Sequence, residues 1–94
     1  MIKSFADHDT ERLFCGKPSK RLPAALQRTA LRKLTQITAA TELSFLRVPP
    51  GNRLEALKGN RKGEHSIRIN DQWRICFRWH KGNVYNVEIV DYHK

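Results

Sequence analysis

The sequence predicts an α+β fold in which two N-terminal helices pack on a small antiparallel sheet, and three observations support that prediction. Apolar residues recur every three or four positions between residues 23 and 37, which is the spacing of an amphipathic helix. After residue 51, apolar and polar residues alternate through several short segments, as they do in half-buried strands. Turns of a few residues join those segments, so consecutive strands should run antiparallel. We expect the 94 residues to form one domain, residues 1–94.

The beginning of the chain is predicted to form a short strand and a short helix. Residues 1–5 carry two large apolar side chains that can face a core in an extended segment. Asp7 or Asp9 can accept hydrogen bonds from the first free N–H groups of a helix that runs toward residue 15. Gly16 then suits the left-handed conformation that commonly ends a helix.

The second predicted helix has the clearest pattern in the chain. Pro23 suits its first position, because the N–H that proline lacks has no helical partner there. The apolar face comprises Leu26, Ala30, Leu34 and Ile37. The other faces carry Arg28, Arg32 and Lys33. Residues 41–43 are expected to begin a helical turn, which cannot continue through Pro49-Pro50-Gly51.

Four short strands are predicted in the second half of the chain, over residues 54–57, 65–70, 73–79 and 84–92. Alternation gives the two central strands one face toward the core and one face away from it. The face toward the core comprises Ile67, Ile69, Trp73, Ile75, Phe77 and Trp79. The opposite face comprises Arg68, Arg74, Cys76 and Arg78. Both tryptophans are therefore interpreted as core residues, and Cys76 as a structural thiol.

The charge of the chain indicates a polyanionic partner. Lysine and arginine total 18 against 9 acidic residues, which gives a net charge of +9 and a pI near 10.2. Nucleic acid is the leading candidate. An anionic membrane surface is disfavoured because no helix face is strongly apolar. Two other interpretations of the charge stay open: an acidic protein partner, and a charge that only keeps the domain soluble.

Several other classes are disfavoured by what the sequence lacks. No run of residues approaches the apolar length of a membrane span, and residues 1–5 do not resemble a signal peptide, so we expect a cytoplasmic protein with no membrane partner. Cys15 and Cys76 do not suggest a disulfide framework. The four histidines are scattered, so no metal site is expected.

Two clusters of residues in the sequence could bind phosphate or transfer protons. The outward arginines form a basic surface, because four more cations precede them: Arg53, Lys58, Arg61 and Lys62. Arginine binds phosphate well, although a solvated polar face would show the same pattern. Asp91-Tyr92-His93 combines a carboxylate, a phenol and an imidazole, the groups of general acid–base catalysis, although a chain end is often polar. Glu55 is either a further acid or base, or a surface carboxylate.

In combination, these residues resemble HigB-type toxins of the RelE/ParE superfamily over essentially the whole chain. The resemblance rests on residues 1–5, 54–63, 66–70, 73–77 and 90–93. Residues 39–54 are similar to the subgroup that includes the GraT toxin. The resemblance implies a RelE-like, microbial-RNase-like fold and a type II toxin that needs no cofactor.

The activity that the resemblance implies is ribosome-dependent cleavage of mRNA in the A site. A 2′-OH would attack the adjacent phosphate and leave a 2′,3′-cyclic phosphate. This cleavage of the mRNA would inhibit translation. The implied partners are the ribosome with its small-subunit rRNA, the mRNA, and a HigA-type antitoxin. That antitoxin would carry a helix-turn-helix, so the toxin would meet DNA only through it.

The resemblance also implies roles for particular residues. Arg74 matches an arginine that contacts the scissile phosphate, and Arg68 and Lys58 fall in the same basic neighbourhood. Asp91, Tyr92 and His93 match the C-terminal active-site motif, in which Asp91 or His93 would transfer protons and Tyr92 would orient the mRNA.

Some relatives have a histidine at the position of Glu55, which leaves the identity of the general base open. Arg53, Arg61, Lys62 and Arg78 extend the basic surface toward the RNA. The cations of the helical region suit rRNA contacts, and they are Lys20, Arg21, Arg28, Arg32 and Lys33.

Two other functions are compatible with the same fold. A ParE-like inhibitor of DNA gyrase would share the architecture without cutting RNA, and a basic RNA-binding module would have no activity. A gyrase inhibitor does not need the arginine, aspartate, tyrosine and histidine set, so that set favours the endonuclease.

Overall fold

The computed structural model describes residues 1–92, and it confirms the predicted α+β architecture. Two helices precede a four-stranded sheet with the spatial order β1-β2-β3-β4 and antiparallel neighbours throughout. The elements are α1 (His8–Phe14), α2 (Ala24–Ala39), β1 (Glu55–Ala56), β2 (Glu64–Arg68), β3 (Trp73–His80) and β4 (Asn83–Asp91). Short 3₁₀ turns at Leu43–Arg47, Pro50–Asn52 and Gly59–Arg61 connect them.

Helix α1 begins and ends close to the predicted residues. The carboxylate of Asp7 accepts a hydrogen bond from the Thr10 N–H at 3.1 Å, which caps the first turn. Gly16, with φ of +87°, follows the C-cap. The hydroxyl of Thr10 is fully buried and accepts a hydrogen bond from the Ile89 N–H at 3.1 Å, so α1 is fixed directly to β4.

Two of the predicted boundaries are wrong in detail. Residues 1–5 do not form a regular strand, because only Ile2 and Phe5 bridge to β4, each in parallel. The pairing is interrupted where β4 bulges: the register of the β3–β4 pair shifts there, and Asn86 takes a φ of +55°. Helix α2 begins at Ala24, and Pro23 is its N-cap rather than its first residue.

The core lies between the helices and the inner face of the sheet, as alternation predicts. The largest fully buried apolar side chains there are Leu34, Ile37, Leu46, Ile67, Ile75 and Phe77. Trp73 is 5% exposed, and Trp79 is half-buried against the same cluster, so both tryptophans pack as expected. Each such side chain stabilises the fold by about 1.5–3 kcal/mol relative to an exposed one.

The register of the sheet brings the outward side chains of three strands together. Arg74 in β3 lies opposite Arg68 in β2 and Val90 in β4, and Cys76 lies opposite Ser66. The arginines of β2 and β3 are therefore neighbours on the outer face, at the end of the sheet where β4 finishes.

Two further structural results concern the described part of the chain. Within residues 1–92, no helix is both long enough and apolar enough to cross a membrane. The same residues contain no group of three His, Cys, Asp or Glu side chains that could hold a metal ion.

Candidate active site

An open cleft of about 630 Å³ lies on the outer face of the sheet, where β1 meets the ends of the other strands. The described residues that line it are Arg53, Leu54, Glu55, Arg68, Asn70, Asp71, Arg74 and Tyr92. Five of the residues predicted from the sequence to contact RNA or take part in catalysis are in this set: Arg53, Glu55, Arg68, Arg74 and Tyr92.

Arg74 is buried at the base of the cleft and is held from several directions. Its Nε donates to the Ser66 hydroxyl at 2.8 Å, and its Nη2 donates to the Ser66 carbonyl at 3.3 Å. Nη2 also donates to the carbonyl of Arg53 at 2.7 Å. Only 8% of Arg74 is exposed, so the guanidinium cannot exchange these oxygens for water.

Glu55 supplies the anion that accompanies this buried cation. Its Oε1 lies 2.9 Å from Nη2 of Arg74, and its side chain is 58% exposed. Glu55 belongs to β1, which is only two residues long and pairs with β2 alone. A carboxylate and a guanidinium therefore meet at the cleft wall, with the carboxylate open to solvent.

A second arginine and carboxylate pair stands beside the first. Arg68 donates a hydrogen bond to Asp71, whose side chain is almost fully exposed. Asp71 lies in the turn between β2 and β3, where the Asn70 side chain accepts hydrogen bonds from the N–H groups of Gln72 and Trp73 at 2.9 and 2.8 Å. The turn is thereby fixed, and it holds Asp71 next to Arg68.

Tyr92 closes one side of the cleft. The guanidinium carbon of Arg74 lies 5.9 Å from the centre of its ring, a cation–π distance, and the residue is 41% exposed. Its hydroxyl lies 3.8 Å from the Cys76 sulfur. Loss of hydration raises the pKa of Tyr92, with a smaller contribution from the Cys76 contact. Burial likewise raises the pKa of Cys76, as expected of a structural thiol.

The other two residues of the C-terminal motif are not part of the described cleft. Asp91 pairs with Trp73 across the β3–β4 ladder, so alternation places it on the face opposite Tyr92. Its carboxylate accepts a hydrogen bond from the Gln72 amide at 3.1 Å. His93 lies outside the described residues.

The cations around residues 58–63 differ in their contacts within residues 1–92. Arg61 donates to Glu64 and to Glu88, both at 3.0 Å, and the Glu88 hydrogen bond raises its pKa. It therefore fastens this loop to the sheet rather than offering a free charge. The exposed cations nearby are Lys58, Lys62 and Arg78, and none of these three is among the described residues that line the cleft.

The helical region supplies a second set of cations, of which four are exposed: Lys20, Arg21, Arg28 and Arg32. Arg21 differs from the other three, because its guanidinium is 3.4 Å from Asp7 and 3.7 Å from Asp9. It also donates to the Ile89 carbonyl at 2.9 Å, so it anchors the loop before α2 to β4.

Lys33 does not have the surface position that the helix pattern predicted. Only 7% of it is exposed, and its ammonium donates to the Asn52 side chain. Burial lowers the pKa of Lys33, and the nearby charges of Arg32 and Arg68 lower it further. The helix turns this residue toward the sheet, because it lies three positions after the buried Ala30. Lys33 is therefore removed from the surface proposed for RNA contacts.

Four contributors to the site were not predicted from the sequence. These are the Ser66 side chain, the Arg53 carbonyl, and the side chains of Asn70 and Asp71. The register of the β2–β3 hairpin would have identified Ser66, since it faces Cys76 two pairs away from the Arg68–Arg74 pair and on the same face of the sheet. The direction of the Arg53 carbonyl depends on the left-handed conformation of that residue, at φ of +47°. An arginine in the sequence does not indicate that conformation.

Comparison with known proteins places the chain in a family. A family model described as "RelE-like toxin of type II toxin-antitoxin system HigB" matches residues 3–93. The chain is 41% identical over 95 residues to Toxin HigB-1 of Vibrio cholerae serotype O1, covering 100% of this chain and 99% of the relative. It is 35% identical over 97 residues to Endoribonuclease HigB of Proteus vulgaris, covering 99% of this chain and 100% of the relative.

A solved structure shows the same fold at much lower sequence identity. A chain of the YoeB-YefM complex from Staphylococcus aureus superposes with a TM-score of 0.58 and 14% identity, covering 100% of this chain and 99% of that one. Because the family model spans nearly all residues and both relatives match over their full length, the chain belongs to the HigB family of RelE-like toxins of type II toxin–antitoxin systems.

Proposed function

We propose that this HigB-family endoribonuclease cuts mRNA in the ribosomal A site and is held inactive by a HigA-type antitoxin. The observation that carries the proposal is the pair at the cleft: Arg74 is fixed on buried oxygens, and the exposed carboxylate of Glu55 lies beside it. Cleavage of RNA by its own 2′-OH requires these two functions, a fixed cation for the phosphate and a base for the hydroxyl proton.

The proposed reaction forms one bond and breaks one. The 2′ oxygen bonds to the adjacent phosphorus while its proton passes to Glu55, at the position where some relatives have a histidine. The bond from phosphorus to O5′ breaks, and O5′ receives a proton from His93. The products are a 2′,3′-cyclic phosphate and a 5′-OH, with no cofactor. Asp91 is the alternative to either residue, although its place on the other face of the strand favours it less.

Charge on the phosphate oxygens increases in the transition state, and the arginines of the cleft are placed to offset it. Arg74 presents a fixed guanidinium, and Arg68 stands next to it across the β2–β3 pair. Loss of one such donor typically slows an enzyme about 10²–10³-fold. The exposed ring of Tyr92, which lies near Arg74, gives the mRNA a surface on which to orient. Lys58, an exposed cation two residues after β1, adds positive charge.

The proposed partners follow from the charge of the molecule and from its family. The exposed cations proposed for rRNA and mRNA contacts are Lys20, Arg28, Arg32, Arg53, Lys62 and Arg78. A ribosomal substrate implies a cytoplasmic protein. The structural neighbour forms a complex with YefM, and membership of a toxin–antitoxin family supports an antitoxin partner here. A HigA-type antitoxin with a helix-turn-helix would account for any contact with DNA. The GraT-like subgroup remains a prediction.

The deciding experiment adds the purified protein to ribosomes programmed with a defined mRNA and maps breaks by primer extension. We expect breaks within the A-site codon only when ribosomes are present. Arg74→Ala should cut at least about 10²-fold more slowly. The exposed Arg12→Ala, which changes the charge equally at a residue of α1 that does not line the cleft, should cut normally.

Other results would exclude the proposal in identifiable ways. Breaks in naked mRNA would show a free ribonuclease without ribosome dependence. Intact mRNA under both conditions would point to the ParE-like alternative, which a gyrase supercoiling assay tests. The family description and the printed name of the Proteus relative do not favour that alternative.

A further inference from the structure

The oxygens around Arg74 differ in how readily they can be replaced. Two belong to Ser66, which is fully buried, and one is the backbone carbonyl of Arg53. None of these can leave without a local change of the fold. The Glu55 carboxylate is different, because it is mostly exposed and is carried by a two-residue edge strand. Among the described residues, Glu55 supplies the oxygen beside Arg74 that can move away.

The energetics favour the replacement of Glu55 by a phosphate group at Arg74 over the binding of a phosphate beside Glu55. A buried guanidinium without an anion is unfavourable, so Arg74 should retain one in every state. Glu55 gives up little when it leaves, because an exposed carboxylate is fully solvated by water. A phosphate group carries its own negative charge and can accept both hydrogen bonds of a guanidinium face. The two anions therefore compete for the same cation.

We propose that Glu55 is the resident counter-anion of Arg74 in the free protein, and that a phosphate group binds Arg74 by displacing it. The inference rests on the proposed function and deepens it, since displacement also releases the carboxylate that is to accept the 2′-OH proton. The base then becomes available only when a phosphate occupies the cleft. The free protein should accordingly bind inorganic phosphate weakly, because each phosphate must compete with Glu55.

The second ion pair of the cleft gives an internal contrast. Asp71 also neutralises an arginine, Arg68, but that side chain is 31% exposed and can be solvated when its partner is lost. Asp71→Asn and Glu55→Gln thus change the charge of the same cleft by the same amount. Only Glu55→Gln leaves a buried cation without its anion.

The experiment titrates inorganic phosphate into the purified protein at constant ionic strength and follows the Arg74 Nε–H signal by NMR. We expect Glu55→Gln to bind phosphate at least about fivefold more tightly than the unchanged protein, which corresponds to the upper range of an exposed ion pair. Asp71→Asn should gain less than about twofold. Glu55→Ala, which removes any hydrogen bond from the substituted amide, should behave as Glu55→Gln does.

Cleavage on programmed ribosomes supplies the opposing measurement. Glu55→Gln should cut more slowly although it binds phosphate more tightly, a combination that a misfolded variant cannot give. Unchanged or weaker phosphate binding in Glu55→Gln and Glu55→Ala would overturn the exchange, and so would an equal gain in Asp71→Asn. If the unchanged protein binds phosphate as expected but cuts no mRNA, the proposed function fails while the exchange stands.

Discussion

Arg74 shows why the cleft requires an arginine rather than any cation. Three of its hydrogen bonds run from Nε and Nη2 to oxygens of Ser66 and Arg53, on two different segments of the chain. A lysine has one nitrogen on a flexible stem, so it could satisfy some of these oxygens but could not hold a plane toward a phosphate. The same planar group that links β2 to the segment before β1 therefore also presents the fixed positive charge.

His65 should make the stability of the protein fall in mild acid. Its ring stacks on Phe77 with centroids 6.3 Å apart, and its Nδ1 is buried without a hydrogen-bond partner within residues 1–92. Burial lowers the pKa of His65 below its ordinary value of 6.5. The unfolded chain then binds the proton more tightly than the folded one, so the stabilising contribution is present above pH 6.5 and is lost as the pH falls through the folded pKa.

The test compares urea unfolding at neutral pH with unfolding in mild acid. His65→Phe should flatten the acid decline in unfolding free energy, since phenylalanine keeps the ring stack and cannot be protonated. His80→Phe, at an exposed position at the end of β3, is the matched control and should keep the decline. An unchanged acid decline in His65→Phe would show that other groups cause it.

A small polar network joins α2 to the segment that precedes β1. Asn52 is fully buried; its amide nitrogen donates to the Leu46 and Val48 carbonyls at 3.1 and 3.3 Å, and its oxygen accepts from Lys33. The next residue, Arg53, provides the carbonyl that holds Arg74. The network thus links the position of the helix to the position of the cleft.

Substitution of Asn52 should be strongly destabilising. Asn52→Ala removes the partner of the buried Lys33 ammonium and of the Leu46 carbonyl, whereas the Val48 carbonyl keeps the Gln36 amide. We therefore expect the free energy of unfolding to fall by about 2–4 kcal/mol. The double variant Lys33→Met with Asn52→Leu removes both polar partners, and it should recover part of that loss. Urea denaturation measures both values. A double variant as unstable as the sum of its single variants would argue against the coupling.

The sequence predicted the elements in which apolar side chains recur at a regular spacing. It did not predict positions whose burial depends on a single contact with a distant part of the chain. Alternation assigned Trp73 and Phe77 to the core and Arg74 to the opposite face, because a strand has only two faces. It could not show that Arg74 is buried, since the covering residues come from the irregular segment before β1. Lys33 stands at the edge of an apolar helix face, and its partner Asn52 lies in a 3₁₀ turn with no repeating pattern.

Two sets of cations in the molecule have different proposed roles. Two arginines of the cleft, Arg68 and Arg74, are already paired with carboxylates and act on one phosphate. Those on α2, Arg28 and Arg32, are exposed one helical turn apart and have no acidic neighbour in the sequence between residues 17 and 33. The first set should therefore determine the rate of the chemical step, and the second should determine how tightly a large polyanion is held.

The dependence of ribosome binding on salt should separate these roles. Replacement of both Arg28 and Arg32 by glutamine removes two exposed positive charges from a chain of net charge +9. If both contact RNA phosphates, the slope of log K against log salt should become shallower by about 1.4, because each contact with single-stranded nucleic acid contributes about 0.7. Cleavage at saturating ribosomes should keep its rate, since neither residue is among the described residues that line the cleft.

The control replaces Lys3 with glutamine and Lys81 with asparagine, two exposed cations elsewhere on the surface, and should leave the slope unchanged. An equal change of slope in both double variants would mean that net charge alone, rather than the α2 face, determines binding to the ribosome.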